Sequence, residues 1–173
     1  MRNVRSSMND YPVMLAKRRR TRKLDLGGVA VGGEAPISVQ SMCDAPTRDV
    51  GAVLRQIRAL AKAGCDIVRL AVPSRTDARA LSEITDQSPL PVVADVHFSA
   101  ELALWALNAG VHGLRLNPGN LSQPGDMARI VEKAAGRKVP IRVGVNAGSR
   151  PPGILERFGG DAARAMVECA LQS

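Results

Sequence analysis

The sequence predicts an α/β fold, an incomplete (β/α)8 TIM barrel made of about the first five βα units and preceded by an N-terminal hairpin. Apolar strand-like segments alternate five times with amphipathic helical segments at spacings of about 22 to 28 residues, a pattern typical of right-handed βαβ crossovers and a parallel sheet. Polar side chains also recur where successive strands end, and the active sites of TIM barrels lie at that end of the strands.

A doubly wound sheet has the same alternation of strands and helices. No G-x-G-x-x-G sequence follows the first strand, which weakens the dinucleotide-binding version of that fold, and the inward-facing polar residues favour the barrel. A complete barrel typically needs about 250 residues, whereas this chain has 173. We therefore expect an open barrel that lacks its last three units.

The N-terminus predicts a flexible basic arm over residues 1–22, followed by a barrel domain over residues 23–173. Eight of the 24 Lys and Arg residues, but only one of the 16 acidic residues, lie within the first 23 positions, so the net charge of +8 belongs mostly to this arm. The run Lys17-Arg-Arg-Arg20 fits either a nucleic-acid or phosphate contact or a solvated arm. We favour the solvated arm, because the rest of the chain offers no matching basic surface.

The elements then follow in order. Apolar and small residues alternate around Gly27-Gly28, which predicts two short strands joined by a two-glycine turn, and we expect this hairpin to close one end of the barrel. Strands are predicted over Ile37–Met42, Cys65–Val72, Pro91–Phe98, Gly113–Leu116 and Ile141–Val145. Apolar residues three and four apart predict helices over Asp49–Gly64, after Ser74, after Ser99, after the loop Asn117-Pro-Gly-Asn120, and over Asp161–Leu171.

Composition excludes several classes of function. Aromatic residues make up only 2% of the chain, which argues against a stacking platform for single-stranded nucleic acid. The three cysteines are an odd number without C-x-x-C spacing, so we expect no disulfide framework, no self-contained metal site and a reducing, cytoplasmic compartment. No apolar run of about 18 residues and no signal-peptide core occur, so neither a membrane nor a nucleic acid is an expected partner.

Polar residues on four predicted strands share the inward direction, because side chains two apart point to the same face. They are Arg69, Asp95, His97, Arg115, Asn117, Arg142 and Asn146. Three arginines that converge with one carboxylate need a neutralising anion, since burying an unpaired charge costs several kcal/mol. The planar arginine fork suits phosphate oxygens, so we predict a site for a phosphate or diphosphate.

Each of these residues alone has an ordinary structural explanation, and their coincidence on successive strands is what favours the anion site. A single strand arginine usually reaches solvent or pairs with a carboxylate, and Asp-x-His is usually a hydrogen-bonded pair. Cys43 follows the first strand, but no base lies beside it in sequence, and we interpret it as incidental.

Several motifs together resemble one enzyme family from about Arg20 to the C-terminus. They are Ala35-Pro-Ile-Ser-Val-Gln-Ser-Met42, Thr47-Arg-Asp-Val50, Gly64-Cys-Asp-Ile-Val-Arg-Leu-Ala-Val-Pro73, Ala94-Asp-Val-His-Phe98, Leu114-Arg-Leu-Asn-Pro-Gly-Asn120 and Ile141-Arg-Val-Gly-Val-Asn-Ala-Gly-Ser149. This set resembles the 4-hydroxy-3-methylbut-2-en-1-yl diphosphate synthases of non-mevalonate isoprenoid (terpenoid) biosynthesis.

The resemblance implies an iron–sulfur oxidoreductase with an N-terminal TIM barrel and a C-terminal domain that holds a [4Fe-4S] cluster on three cysteines and a glutamate. Such an enzyme reductively opens 2-C-methyl-D-erythritol 2,4-cyclodiphosphate with two electrons from ferredoxin or flavodoxin, and we expect a homodimer. By motif match, Asp95 and His97 would be catalytic. Arg69, Arg115, Asn117, Arg142 and Asn146 would bind the substrate.

The chain differs from the family pattern at two points. After Met42 it continues with Cys43-Asp-Ala45, where the family usually has Thr-Asn-Thr. The last barrel units and the cluster domain are not in this sequence, and none of its cysteines corresponds to a cluster ligand, so we expect the chain alone to be inactive. A non-catalytic phosphate-binding module and a related pterin-binding-type barrel enzyme are the alternative interpretations.

Overall fold

The computed structural model describes residues 19–97, 99–117, 121, 123, 125–145 and 153–171. The chain begins with the predicted hairpin, in which β1 (Leu24–Leu26) pairs antiparallel with β2 (Val29–Val31). Both turn residues, Gly27 and Gly28, have positive φ angles of 60° and 90°. Side chains rarely adopt this conformation, which is why two glycines occupy the turn.

The other five strands form one parallel sheet whose order follows the chain. They are β3 (Gln40–Met42), β4 (Ile67–Val72), β5 (Val92–Val96), β6 (Gly113–Leu116) and β7 (Ile141–Val143). A doubly wound sheet reverses its strand order at a switch point, and this sheet does not, as expected for consecutive strands of a barrel. The predicted incomplete TIM barrel is therefore confirmed.

The two outer strands are shorter than predicted. β3 begins at Gln40 instead of Ile37, and β7 ends at Val143 instead of Val145. Each of these strands pairs on one side only, so fewer backbone hydrogen bonds hold its ends in the sheet. The exposed side chains of Ile37 (85%) and Val39 leave this edge of the barrel uncovered.

Over the described residues, four helices lie between successive strands of the parallel sheet and two follow its last strand, and all but one of them were predicted. They are α1 (Val50–Lys62), α2 (Arg75–Gln87), α3 (Ala100–Asn108), α4 (Asp126–Arg137), α5 (Ile154–Arg157) and α6 (Ala162–Leu171). The side chains of Asp49, Ser74 and Ser99 cap α1, α2 and α3 by accepting backbone N–H bonds. The sequence did not predict α5, because four residues are too few to show a helical period.

The core lies on one face of the sheet. Every second residue of the central strands, such as Leu70, Ala94 and Leu114, is buried against the helices. Full burial of a leucine side chain contributes about 1.5–3 kcal/mol, so this face carries most of the stabilising area. The alternate residues point to the opposite face, which is the interior of the barrel. None of the described helices has the length and apolar character needed to cross a membrane.

The hairpin covers the amino-terminal ends of the strands. It borders a cavity of about 460 Å³ that is also lined by Val93, Gly113 and Arg142. A Cβ atom added to Gly113 would lie 3.3 Å from Cδ1 of Leu26, so this glycine lets the hairpin approach closely. The expectation that the hairpin closes one end of the barrel agrees with this position.

His112 joins the hairpin to the sheet. Its Nδ1 accepts the backbone N–H of Val92 at 3.1 Å, and its own backbone N–H donates to the Val92 carbonyl at 2.9 Å. The turn packs against the ring so closely that a Cβ atom on Gly27 would lie 2.5 Å from its Cδ2. Burial lowers the pKa of His112 from its ordinary value of 6.5.

We expect the free energy of unfolding to fall as the pH drops below about 6.5, because the unfolded chain then takes up a proton that folded His112 resists. This contribution is complete above pH 6.5 and is lost as the pH falls through the lower folded pKa. His112 also lines a second cavity, and the charged groups around that cavity are Asp25, Arg137 and Lys138. Losing the bond to Val92 costs roughly 1 kcal/mol.

Urea unfolding of the parent and of His112→Gln at pH 8 and pH 5.5 measures this contribution, because the glutamine does not titrate. The parent should lose more stability between the two pH values than the variant. Equal losses would show that His112 does not link stability to pH.

Candidate functional site

The inner face of the sheet carries the predicted polar residues in register. Asp95 on β5 lies opposite Arg115 on β6, which lies opposite Arg142 on β7. Partners in adjacent parallel strands project to the same side, so these three side chains start from one row of the barrel interior. Arg69 on β4 lies opposite Val93, two residues before Asp95, and therefore on the same face.

The carboxylate of Asp95 is the centre of this face. Its Oδ1 lies 3.1 Å from Nη1 of Arg115 and 3.1 Å from Nε2 of His97, and its Oδ2 lies 3.4 Å from Nε of Arg69. Asp95 is only 4% exposed and Arg115 only 8%. One buried carboxylate thus holds two guanidinium groups, and the group as a whole carries excess positive charge.

The imidazole of His97 has two mutually exclusive partners at one nitrogen. Nη1 of Arg115 lies 3.0 Å from Nε2 of His97, and an arginine nitrogen can only donate. Nε2 therefore accepts from Arg115 when it is unprotonated, and it can donate to Asp95 when it carries a proton. A change of protonation at Nε2 exchanges one partner for the other.

Two residues that the sequence interpretation assigned no role shape this group. Met42 on β3 places its sulfur 3.3 Å from Nη2 and 3.4 Å from Nε of Arg69. Gly144, just after β7, lies so close to Arg115 that a Cβ atom there would be 2.4 Å from Nε. A glycine in a strand-like segment is a signal of close approach, and this signal was available in the sequence.

The remaining predicted site residues are placed differently. Asn117 follows β6 and is buried. Arg142 is exposed and lines the cavity beside the hairpin, and among the described residues no carboxylate pairs with it. The structure thus brings Arg69, Arg115, Asp95 and His97 into contact, while Arg142 is their neighbour in register. Asn146 lies outside the described residues, as do residues 118–120 of the predicted loop.

The loop that departs from the family pattern is fixed by a side chain of α1. Oε1 of Gln56 accepts the backbone N–H groups of Asp44 and Ala45, each at 3.2 Å, and its Nε2 donates to the Asp44 carboxylate. Burial, with smaller contributions from the charges of Asp44 and Cys65, raises the pKa of Cys43 to about 11. A thiol with this pKa stays protonated at neutral pH, which agrees with an incidental role.

The residues present do not fit an iron–sulfur cluster. Cys43, Cys65 and Cys169 are buried and form no disulfide, and Cys169 packs in a separate small group with Ile154 and Ala165. Over the described part of the chain, no group of three or more His, Cys, Asp or Glu side chains could hold a metal ion. A cluster needs thiolates that converge on one point, so we assign none of its ligands to these cysteines.

Comparison with known proteins identifies the relatives of this chain. Residues 21–173 match the family described as the GcpE TIM-barrel domain. The chain is 55% identical over 152 residues to the 4-hydroxy-3-methylbut-2-en-1-yl diphosphate synthase (flavodoxin) of Geobacter sulfurreducens, a match that covers 88% of this chain and 43% of that protein. The enzymes of the same name from Persephonella marina and Aquifex aeolicus are 48% and 47% identical over 91% of this chain. The chain spans 43% to 45% of the length of these relatives.

Solved structures agree on the fold. The dihydropteroate synthase of Xanthomonas albilineans in complex with 7,8-dihydropteroate matches with a TM-score of 0.53 at 21% identity, over 86% of this chain and 62% of that one. The dihydropteroate synthase of Yersinia pestis matches with a TM-score of 0.54 at 13% identity, over 86% and 57%. Identities this low establish a shared barrel architecture and no shared chemistry.

We expect Asp95→Asn to lower the stability of the chain by roughly 3–5 kcal/mol, because it leaves the buried guanidinium of Arg115 without its counterion. The exposed carboxylate Asp86 on α2 provides a control, since Asp86→Asn makes the same chemical change where solvent surrounds the group. Thermal unfolding followed by circular dichroism measures both variants. If Asp95→Asn has the same melting temperature as the parent chain, the ion pairs on the inner face do not stabilise the fold.

We also expect this 173-residue chain to take up no iron–sulfur cluster, because its three cysteines are buried and Cys169 packs in a different group from Cys43. Anaerobic reconstitution with iron and sulfide, followed by visible absorption, tests this. A stoichiometric cluster band that disappears in Cys43→Ser would contradict the expectation.

Proposed function

Because the chain belongs to the GcpE family of TIM-barrel domains, we propose that it is the substrate-binding barrel part of a 4-hydroxy-3-methylbut-2-en-1-yl diphosphate synthase. The proposed substrate is 2-C-methyl-D-erythritol 2,4-cyclodiphosphate, whose ring the complete enzyme opens by reduction. Relatives that carry this name share 47% to 55% identity with about nine tenths of the chain.

The observation that carries the proposal is the excess of cations around Asp95. Arg69 and Arg115 share its single carboxylate, and Arg142 adds a third positive charge in the same register row. Arg115 is buried, so its charge is poorly screened by water. A bound diphosphate would bring the negative charge that this face of the sheet lacks, and it suits the planar donors of arginine.

We assign the side chains to two roles. Arg69, Arg115 and Arg142 bind phosphate oxygens, and Asn117 and Asn146 add hydrogen bonds to the same ligand. Asp95 and His97 are the titratable pair nearest to the arginines. Ring opening expels a hydroxyl group that leaves as water and so needs a proton. We assign that proton to Nε2 of His97, which lies 3.1 Å from Oδ1 of Asp95.

The names of the relatives support flavodoxin as the electron donor of the complete enzyme, in preference to ferredoxin. The reduction itself needs the [4Fe-4S] cluster of the family, and no step of it is assigned to this chain. A homodimer and a cytoplasmic location complete the proposal, the location supported by three cysteines that form no disulfide. Residues 1–18 of the proposed basic arm lie outside the described residues, and we assign the arm no part in substrate binding.

A pterin-binding-type barrel enzyme has weaker support. The dihydropteroate synthases share the fold at 13% to 21% identity, whereas the sequence relatives share more than twice that identity. A non-catalytic phosphate-binding module would use the same arginines. It would differ from the synthase in binding inorganic diphosphate as tightly as the cyclic substrate.

We expect Arg142→Met to weaken binding of the cyclodiphosphate about tenfold to a hundredfold, because one charge-assisted contact to phosphate is worth roughly 1.5–3 kcal/mol. The melting temperature should not change, since this exposed arginine has no partner carboxylate among the described residues. Arg142→Lys should also weaken binding, because a point charge cannot replace the planar fork. Titration calorimetry and thermal unfolding of the same variants measure the two effects.

Arg58→Met is the matched control, since it removes the same charge from the exposed surface of α1. It should leave the affinity unchanged. A parent chain that does not bind the cyclodiphosphate would refute the proposed function for this chain. A loss of stability in Arg142→Met with unchanged affinity would instead make Arg142 a structural residue.

A further inference from the structure

A groove of about 590 Å³ lies between α3 and α4, and its lining belongs entirely to these two helices. It is therefore separate from the polar inner face of the sheet. Leu104 and Asn108 line the groove from α3, and three cations line it from α4 at intervals of four residues, Arg129, Lys133 and Arg137. At a rise of about 1.5 Å per residue, neighbouring cations start about 6 Å apart along one stripe of the helix.

This stripe is unfavourable for α4 itself. Like charges four residues apart repel each other on a helix, and Lys133 has an arginine four residues away in both directions. Arg129 contacts Asp126 at 3.6 Å, whereas no carboxylate of the described residues lies within salt-bridge distance of Lys133 or Arg137. The helix dipole favours Arg137 in the last turn but not Lys133, which is half-buried in the middle of the helix.

Gly136 is a second feature of the groove that the fold does not require. Glycine in a helix is destabilising relative to alanine. Its φ angle is not positive, and a Cβ atom there would meet nothing within 4 Å, so neither the backbone nor the packing demands a glycine. It also occupies the position four residues after Glu132, where a cation would form a favourable pair. Local rules broken without a structural gain indicate a functional surface, and here the glycine keeps the groove open.

A stripe of cations on α1 has none of these features. Arg55, Arg58 and Lys62 are all exposed, so a solvated helix face is a sufficient explanation for them. The α4 stripe differs in its half-buried lysine, its groove and its glycine.

The composition of the groove indicates the chemistry of its ligand. Its lining carries three cations and one carboxylate, that of Glu132, together with the apolar side chain of Leu104. A nucleic-acid backbone, which is uniformly anionic, would meet the carboxylate, and no aromatic residue lines the groove to stack a base. A protein segment can instead match carboxylates to the cations and an apolar side chain to Leu104.

We propose that this groove is a docking site for an acidic segment of a partner protein. The segment carries carboxylates about 6 Å apart, as a helix does when acidic residues recur every four positions. Complementary charge gives such a site its specificity. The inference goes beyond the proposed function, because the groove and the cyclodiphosphate site share no residue and each can be tested without the other.

The test uses a fluorescently labelled, alanine-based helical peptide with glutamates four residues apart, added to the 173-residue chain at low ionic strength. We expect Lys133→Glu combined with Arg137→Glu to weaken peptide binding about tenfold or more, measured by fluorescence anisotropy. Arg58→Glu combined with Lys62→Glu is the matched control, since it makes the same charge change at the same spacing on α1. It should leave the affinity nearly unchanged.

Gly136→Leu tests the groove without changing its charge. Leucine is a better helix former than glycine, so the melting temperature should not fall. The added side chain should fill the groove and weaken peptide binding severalfold. A Gly136→Leu variant that binds the peptide like the parent would overturn the inference.

Three further results would also overturn it. A parent chain that does not bind the peptide, or equal losses in the two double charge variants, would leave only a solvated face. A single-stranded oligonucleotide that binds more tightly than the peptide at the same ionic strength would make the groove a nucleic-acid site. A dimer of the parent that dissociates in the α4 double variant, observed by sedimentation, would make it a contact between copies of this chain.

Discussion

The sharing of one buried carboxylate by two arginines is the interaction on which the inner face of this sheet depends. Asp95 contacts Arg69 through one oxygen and Arg115 through the other, so the strands on either side of β5 present their cations to the same carboxylate. Without Asp95 these cations would repel each other in a poorly screened environment. With it they are held in place, and the two arginines with one carboxylate keep a net positive charge.

This arrangement explains why the two faces of the sheet differ. Toward the helices the central strands are uniformly apolar, as in any parallel sheet buried on that side. Toward the barrel interior, charged residues lie on successive strands. Gly144 leaves room for the side chain of Arg115, and the sulfur of Met42 contacts the guanidinium of Arg69. The inner face is therefore polar where a parallel strand is usually apolar on both sides. The register of β4 to β7 determines how its side chains are arranged.

Much of this could be predicted from the sequence, because it follows from local periodicity. The hairpin, the five strands, the helices long enough to show a period and the inward direction of Arg69, Asp95 and Arg115 all result from spacings of two or of three and four. The glycine at position 144 signalled a close approach, but its partner Arg115 could not be predicted, and neither could the contact of Met42 with Arg69, since both depend on how neighbouring strands are staggered. The same limit applies to Arg142. The strand position of Arg142 was predictable. That its side chain lines the cavity beside the hairpin depends on the space that the neighbouring elements leave.

The order of the strands has a consequence for how the molecule assembles. From β4 onward, every strand of the parallel sheet pairs with the strand that precedes it in the chain, so each of these strands finds its partner already synthesised when it leaves the ribosome. Assembly can then proceed vectorially from the hairpin onward, with short loops to close at each step. The same order leaves an unpaired strand edge at the growing end throughout synthesis. Each added unit covers that edge and exposes a new one, so the hydrogen-bonding edge moves along the chain as the sheet grows.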